Sequence, residues 1–201
     1  MEAVARFRLR MTFEKLGSLA FLSHLEVTSA LERVVRRSKL PFAVSQGFSP
    51  HMKLSFGSAL PVGVGGTGEI ADVILKDYVN VNDALKSLQK ASSEGLRVID
   101  CKYIDIKAPA ASIAFENSVY ECVYDGEIPD FDVPETIEVV RKKKLKVLNV
   151  DDYLVEMPTI EGQNLTCTLR SSQAGALRID KLLESFQIET PLVSITRTKQ
   201  F

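Results

Sequence analysis

Apolar and basic positions alternate with a period of two along Arg6-Phe7-Arg8-Leu9-Arg10-Met11-Thr12-Phe13, predicting a strand with one buried face and its arginines on the other. The period then lengthens. Ser23-His24-Leu25-Glu26 fits a capping box, in which Ser23 Oγ accepts from the Glu26 amide and the Glu26 carboxylate accepts from the Ser23 amide. A helix over 24–37 follows, with Leu25, Ala30, Leu31, Val34 and Val35 as its apolar side. Arg33, Arg36 and Arg37 point largely elsewhere and suit its carboxyl-terminal end, which favours cations. Pro41 forbids further helix. Phe42–Val44 then predicts a short strand, Gln46-Gly47-Phe48-Ser49-Pro50 a loop, and Met52–Phe56 an alternating strand. The glycine-rich run 63–68 reads as a turn and 69–75 as a strand. Asn82 can cap a helix over 83–91 that Gly95 terminates, and 96–104 closes the first half with a strand.

The second half repeats this order less clearly. Val119–Tyr124 reads as a strand, Pro134–Lys142 as a helix with proline near its first turn, and Lys146–Leu148 as a short strand. Residues 153–160 and 165–169 suggest a hairpin across Glu161-Gly162-Gln163-Asn164, followed by a helix over 177–186 and a strand over 192–198. The expectation is an α+β chain of two tandem ferredoxin-like (βαββαβ) modules with antiparallel sheets, residues 1–107 and 112–201. Lys107-Ala108-Pro109-Ala110-Ala111 suits the join.

Composition agrees with a folded core: 201 residues, 45% hydrophobic and 25% charged, exclude disorder. The formal net charge of -1 conceals an asymmetry, since residues 1–57 carry +5 and the remainder -6. Cys101, Cys122 and Cys167 are odd in number, far apart and inside expected strands, as for reduced thiols of an intracellular protein. No cysteine pair has metal-ligand spacing, and two histidines offer little to a zinc site. No apolar run approaches the roughly 20 residues of a membrane span and no signal segment opens the chain, so the expected address is cytoplasmic, without membrane.

Candidate chemistry concentrates between Phe21 and Phe56, which holds both histidines. His24 and His51, if the fold joins them, could act as acid and base in RNA cleavage; the stronger reading is that each simply packs or hydrogen-bonds a loop. Ser45, Gln46, Gly47, Phe48, Ser49 and His51 form a loop whose small and polar residues could let amides approach an anion, though no phosphate-loop pattern is present. Phe48 offers either a stacking face for single-stranded RNA between Arg37 and Lys53, or a ring folded over the sheet. The glycines at 63, 65, 66 and 68 match no nucleotide signature.

The run from Arg6-Phe7-Arg8 through FLSHLE, ALERVVRRSKLPFAVSQGFSPHMKLSFG and ALPVGV resembles the radical-SAM-linked family, a bacterial domain of unknown function. That domain occurs fused after a radical S-adenosylmethionine protein or encoded beside one. The resemblance spans most of the first half, and it implies a radical S-adenosylmethionine protein as partner. Radical enzymes of that kind bind their cluster through three closely spaced cysteines. This chain has no such triplet, so an iron-sulfur cluster and S-adenosylmethionine are expected only on the partner, with no cofactor in this chain. The expected function is a non-catalytic accessory or substrate-binding protein for that enzyme, engaging structured RNA. Arg6, Arg8, Arg10, Arg33, Arg36, Arg37 and Lys53 would contact phosphates, with Ser45, Gln46, Gly47, Phe48, Ser49 and His51 as the adjoining loop. The alternatives are a metal-independent endoribonuclease using His24 and His51, or a purely protein-binding module.

Overall fold

The computed structural model describes residues 6–141, 143–172 and 175–201. The chain divides into two compact units, the first ending at Phe115 and the second beginning at Glu116.

The first unit contains β1 (Phe7–Lys15), α1 (His24–Arg37), β2 (Leu54–Phe56), β3 (Val64–Leu75), α2 (Val81–Ala91), β4 (Val98–Ile104) and a one-turn helix, α3 (Ala111–Ala114). Its strands lie in the order β4-β1-β3-β2, each pair antiparallel. Alternation in β1 buries Leu9, Met11 and Phe13 on the face shared with Ala71, Val73 and Leu75 of β3. Val27, Leu31, Val34 and Val35 of α1 and Ala84 and Leu88 of α2 close over that face to complete the core. Each large aliphatic buried there stabilises the fold by about 1.5–3 kcal/mol.

The start of α1 follows from its cap. Glu26 Oε2 accepts from the Ser23 amide at 2.8 Å and from Ser23 Oγ at 2.7 Å, while the Glu26 amide donates to Ser23 Oγ at 3.4 Å. Its buried stripe is Val27, Leu31, Val34 and Val35; Leu25, expected on the apolar side, faces solvent from the first turn. Helix α2 begins two residues earlier than expected, because Asn80 rather than Asn82 supplies the cap, its Oδ1 accepting from the Asn82 amide at 2.9 Å. The expected strand at Phe42–Val44 reduces to two isolated bridges, Phe42 to Leu75 and Val44 to Met52. The glycine run is mostly strand: Gly63 alone keeps a turn conformation, with φ at 88°, and β3 starts at Val64. Gly66 serves close packing instead, since a Cβ there would lie 2.6 Å from Glu69 Cγ.

The segment expected as a join belongs to the first unit. Arg8 donates to the carbonyls of Ala108 and Pro109, and the Arg10 guanidinium lies 5.1 Å from the centre of the Phe115 ring. These contacts tie the chain down through α3.

The second unit contains β5 (Asn117–Tyr124), β6 (Thr136–Arg141), β7 (Lys144–Asn149), β8 (Thr159–Glu161), β9 (Asn164–Ser172), β10 (Gly175–Ala176), α4 (Ile179–Ser185) and β11 (Leu192–Gln200). Within it β5 lies antiparallel between β9 and β11, and β8 and β10 pair with β9. The expected helix over Pro134–Lys142 is a strand. Thr136, Ile137, Val139 and Val140 are β-branched, and Ile137 and Val139 alternate inward while β6 pairs with β7 as a two-stranded ribbon. Lys142 lies outside the described residues. Of the expected strand over 153–160 only β8 forms, because Pro158 precedes it and 150–152 make a 3₁₀ turn. Phe131 stacks on Phe186 at 4.5 Å behind α4. No helix among the described residues is long and apolar enough to cross a membrane.

Candidate functional site

Two of the expected phosphate ligands are interior. Arg8 and Arg10 project from β1 on the face opposite the helices, and both grip Asp72 of β3, which is 1% exposed. Arg8 Nε and its terminal nitrogen donate to Asp72 Oδ2 at 3.1 and 2.6 Å. Arg10 Nε donates to Oδ1 at 2.7 Å and its terminal nitrogen to Oδ2 at 2.9 Å. Arg8 also donates to the Ala108 and Pro109 carbonyls, and with both arginines only 8% exposed these guanidinia are structural and present little surface to phosphate. Arg6, just before β1, is exposed.

The α1 arginines behave as expected of a surface. Arg33, Arg36 and Arg37 are exposed, and positions i, i+3 and i+4 place them on one stripe. Arg36 stacks over the Phe42 ring at 5.1 Å, and Arg37 donates to the Ala91 carbonyl at 2.7 Å, closing the end of α2. Arg37 therefore turns toward α2, and Arg36 is the arginine at the root of the Ser45–His51 loop. Where α1 and α2 end, Arg37, Lys39, Ser87, Lys90 and Ser92 line one shallow depression. Lys39 and Lys90 were not among the sequence candidates. Their signal was proximity in space, the two helices ending side by side.

The loop is an exposed stalk. The Ser45 amide donates to the His51 carbonyl at 2.7 Å and the His51 amide to Ser45 Oγ at 3.0 Å. Beyond that clasp Gln46, Gly47, Phe48 and Ser49 are all exposed, and Gly47 has φ at 139°, which disfavours any other residue. The Phe48 ring is fully exposed and so is not folded over the sheet. Lys53, at the other root, is half-buried.

The cavity beside His24 is not lined by His51. His24, in the first turn of α1, sets its ring edge-on to Phe56 at 5.3 Å and 81°. It lines this small cavity with Phe13, Lys15, Phe56, Ser58 and Glu69. The cavity measures about 20 Å³. A single water needs on the order of 10–15 Å³ and a small-molecule site about 300 Å³ or more. Lys15 and Glu69 are 2% and 6% exposed, and Lys15 Nζ donates to the Val64 carbonyl at 3.2 Å. Both went unnoticed in the sequence, although Lys15 sits at the core-facing parity of Leu9, Met11 and Phe13.

Other reactive groups are held inert. Desolvation raises the thiols of Cys101 to about 11 and Cys167 to about 12, and raises Cys122 further with the help of its neighbour Cys167. Among the described residues no group of three or more His, Cys, Asp or Glu side chains could hold a metal ion.

A family model for an uncharacterized protein conserved in bacteria, DUF2344, matches residues 8–179. The chain belongs to this family. The match reaches from Arg8 in β1 to Ile179 in α4, so DUF2344 spans both units. Among curated proteins none matches the chain. A solved structure of an H/ACA ribonucleoprotein bound to a substrate RNA containing 2′-deoxyuridine is similar with a TM-score of 0.43 and 12% identity, covering 96% of this chain and 47% of that one. At that score the likeness is too loose to assign fold or ligand.

Proposed function

We propose that this DUF2344 chain is a cytoplasmic, non-catalytic accessory protein that presents structured RNA to a radical S-adenosylmethionine enzyme. The observation that carries the RNA part is the exposed stripe Arg33, Arg36 and Arg37, continued by Lys39 and Lys90 and adjoining the Ser45–His51 stalk at Phe42. Clustered exposed cations on one helix face gather a phosphate backbone by displacing its counterions. Arg6, which is exposed, and the half-buried Lys53 are further candidate phosphate contacts, whereas Arg8 and Arg10 do not take part. The partner rests on the sequence resemblance of residues 6–64 to the radical-SAM-linked family, and the cluster and S-adenosylmethionine belong to that partner. The buried, free thiols suit a reducing compartment.

We read both units as ferredoxin-like. Order β4-β1-β3-β2 around α1 and α2 suits that arrangement, and β11-β5-β9-β8 repeats it with the β6–β7 ribbon in place of the first helix. An endoribonuclease acting through His24 and His51 finds no support in a water-sized cavity that only one of them lines.

The test compares the purified chain, the cognate radical enzyme, and their mixture on candidate RNA. Modification stimulated only in the mixture supports the accessory role. Cleavage by the chain alone, abolished by His24→Ala or His51→Ala, overturns it.

A further inference from the structure

We propose that Phe48 is a stacking platform that captures one unpaired base of the bound RNA. This rests on the RNA reading above and adds the structural class of nucleotide recognised. An aromatic ring brings a large apolar area, and here all of it is held in water at the tip of a loop. Among the described residues no ring and no cation packs against it, so it contributes nothing to the core.

The platform is built before anything binds. The two hydrogen bonds between Ser45 and His51, with the Val44 to Met52 bridge beneath them, clasp the loop at its base. Pro50, two residues after the ring, fixes its own φ. Ordering costs on binding are correspondingly small.

Charge selects the occupant. Residues 42–53 contain no Asp or Glu, Arg36 stacks on Phe42 at the loop's root, and Lys53 lies just before β2. Gln46, Ser49 and His51 are exposed in the same loop and bring hydrogen-bonding groups to it, which is unlike the water-excluding apolar surround of a protein-binding anchor. A flat apolar face at the tip of a polar loop rooted near cations fits a base attached to a phosphate backbone. Bases inside a duplex are already stacked, so the partner nucleotide is unpaired, in a loop, bulge or end.

The experiment measures affinity at one fixed salt concentration for an RNA stem-loop and for a blunt duplex of the same length, using the full chain. Wild type should prefer the stem-loop, and Phe48→Ala should weaken stem-loop binding about 10-fold while leaving the duplex unchanged. Phe48→Tyr should keep the preference, and Phe48→Leu should lose it as alanine does. Thermal unfolding of all three variants should match wild type, because the ring touches no core residue.

Equal stem-loop affinity for wild type and Phe48→Ala overturns the stacking role while leaving the arginine stripe standing. Full retention by Phe48→Leu also overturns it, since an aliphatic chain satisfies an apolar protein pocket but not a base. Wild type binding neither RNA removes the RNA reading itself, and the stacking role with it.

Discussion

Replacing Asp72 with alanine should unfold the first unit far more readily than it alters any surface property. Asp72 is 1% exposed and accepts four hydrogen bonds from two guanidinia. Its removal strands two buried cations between β1 and β3, with only the Ala108 and Pro109 carbonyls and the Phe115 ring left to them. Breaking one buried ion pair costs about 3–5 kcal/mol, chiefly because the surviving charge lacks a partner. Two stranded charges put the loss at the upper end, about 5 kcal/mol, a large fraction of a typical domain's stability. With a urea slope of about 2 kcal/mol/M, the midpoint of the first unit should fall by roughly 2.5 M. Urea unfolding followed by far-ultraviolet circular dichroism reads this directly. A control variant, Arg8→Met with Asp72→Leu and Arg10→Met, removes every charge together and should recover most of the loss. A midpoint shift of Asp72→Ala below about 0.5 M, corresponding to roughly 1 kcal/mol, would refute the view that these arginines are structural.

Ser23→Ala should lower stability by about 1 kcal/mol in thermal or urea unfolding, since the capping box is complete. The same cap depends on pH: the Ser23 hydroxyl and amide hold the Glu26 carboxyl below its ordinary 4.5, so its contribution is full above that value and vanishes as pH falls through the lowered one. The Ser23→Ala penalty should therefore shrink in acid, and an unchanged penalty at pH 2 would count against the cap. Gly66→Ala should destabilise by about 1–3 kcal/mol because its Cβ would meet Glu69 Cγ and Oε1 at 2.6 Å, and a neutral effect on the unfolding midpoint would show that Glu69 yields freely. Native protein at pH 8 should resist iodoacetamide at all three thiols, with full labelling only in denaturant; mass spectrometry of an alkylated Cys101, whose thiol sits near 11, would contradict its burial.

Local signals were the ones the sequence carried openly. In α1 the capping box, the spacing of Leu31, Val34 and Val35, and the terminal arginines all point to the same helix, and the structure places it at His24–Arg37. The role of Arg8 and Arg10 was hidden because it depends on register: Arg10 meets Asp72 across two strands separated by 62 positions. An acid between Ala71 and Val73, in the otherwise apolar run 70–75, was the available hint. At β6 a proline near the expected first turn favoured helix, but the β-branched residues and the pairing to β7 decide for strand. The exposed Phe48 could be found only in three dimensions, since the same loop could have folded its ring inward.

The most direct test of the central claim is the salt dependence of RNA binding by wild type and by the Arg33→Ala, Arg36→Ala, Arg37→Ala triple variant. Fluorescence anisotropy of a labelled stem-loop, titrated between about 50 and 200 mM salt, gives the affinity and the slope of its logarithm against log salt. If these arginines hold phosphates, wild type weakens steeply with salt. The folded triple variant should then bind more weakly, with a slope flatter by about 1 for each phosphate it no longer engages. Affinity and slope identical to wild type in a folded variant would contradict the assignment of this surface to RNA.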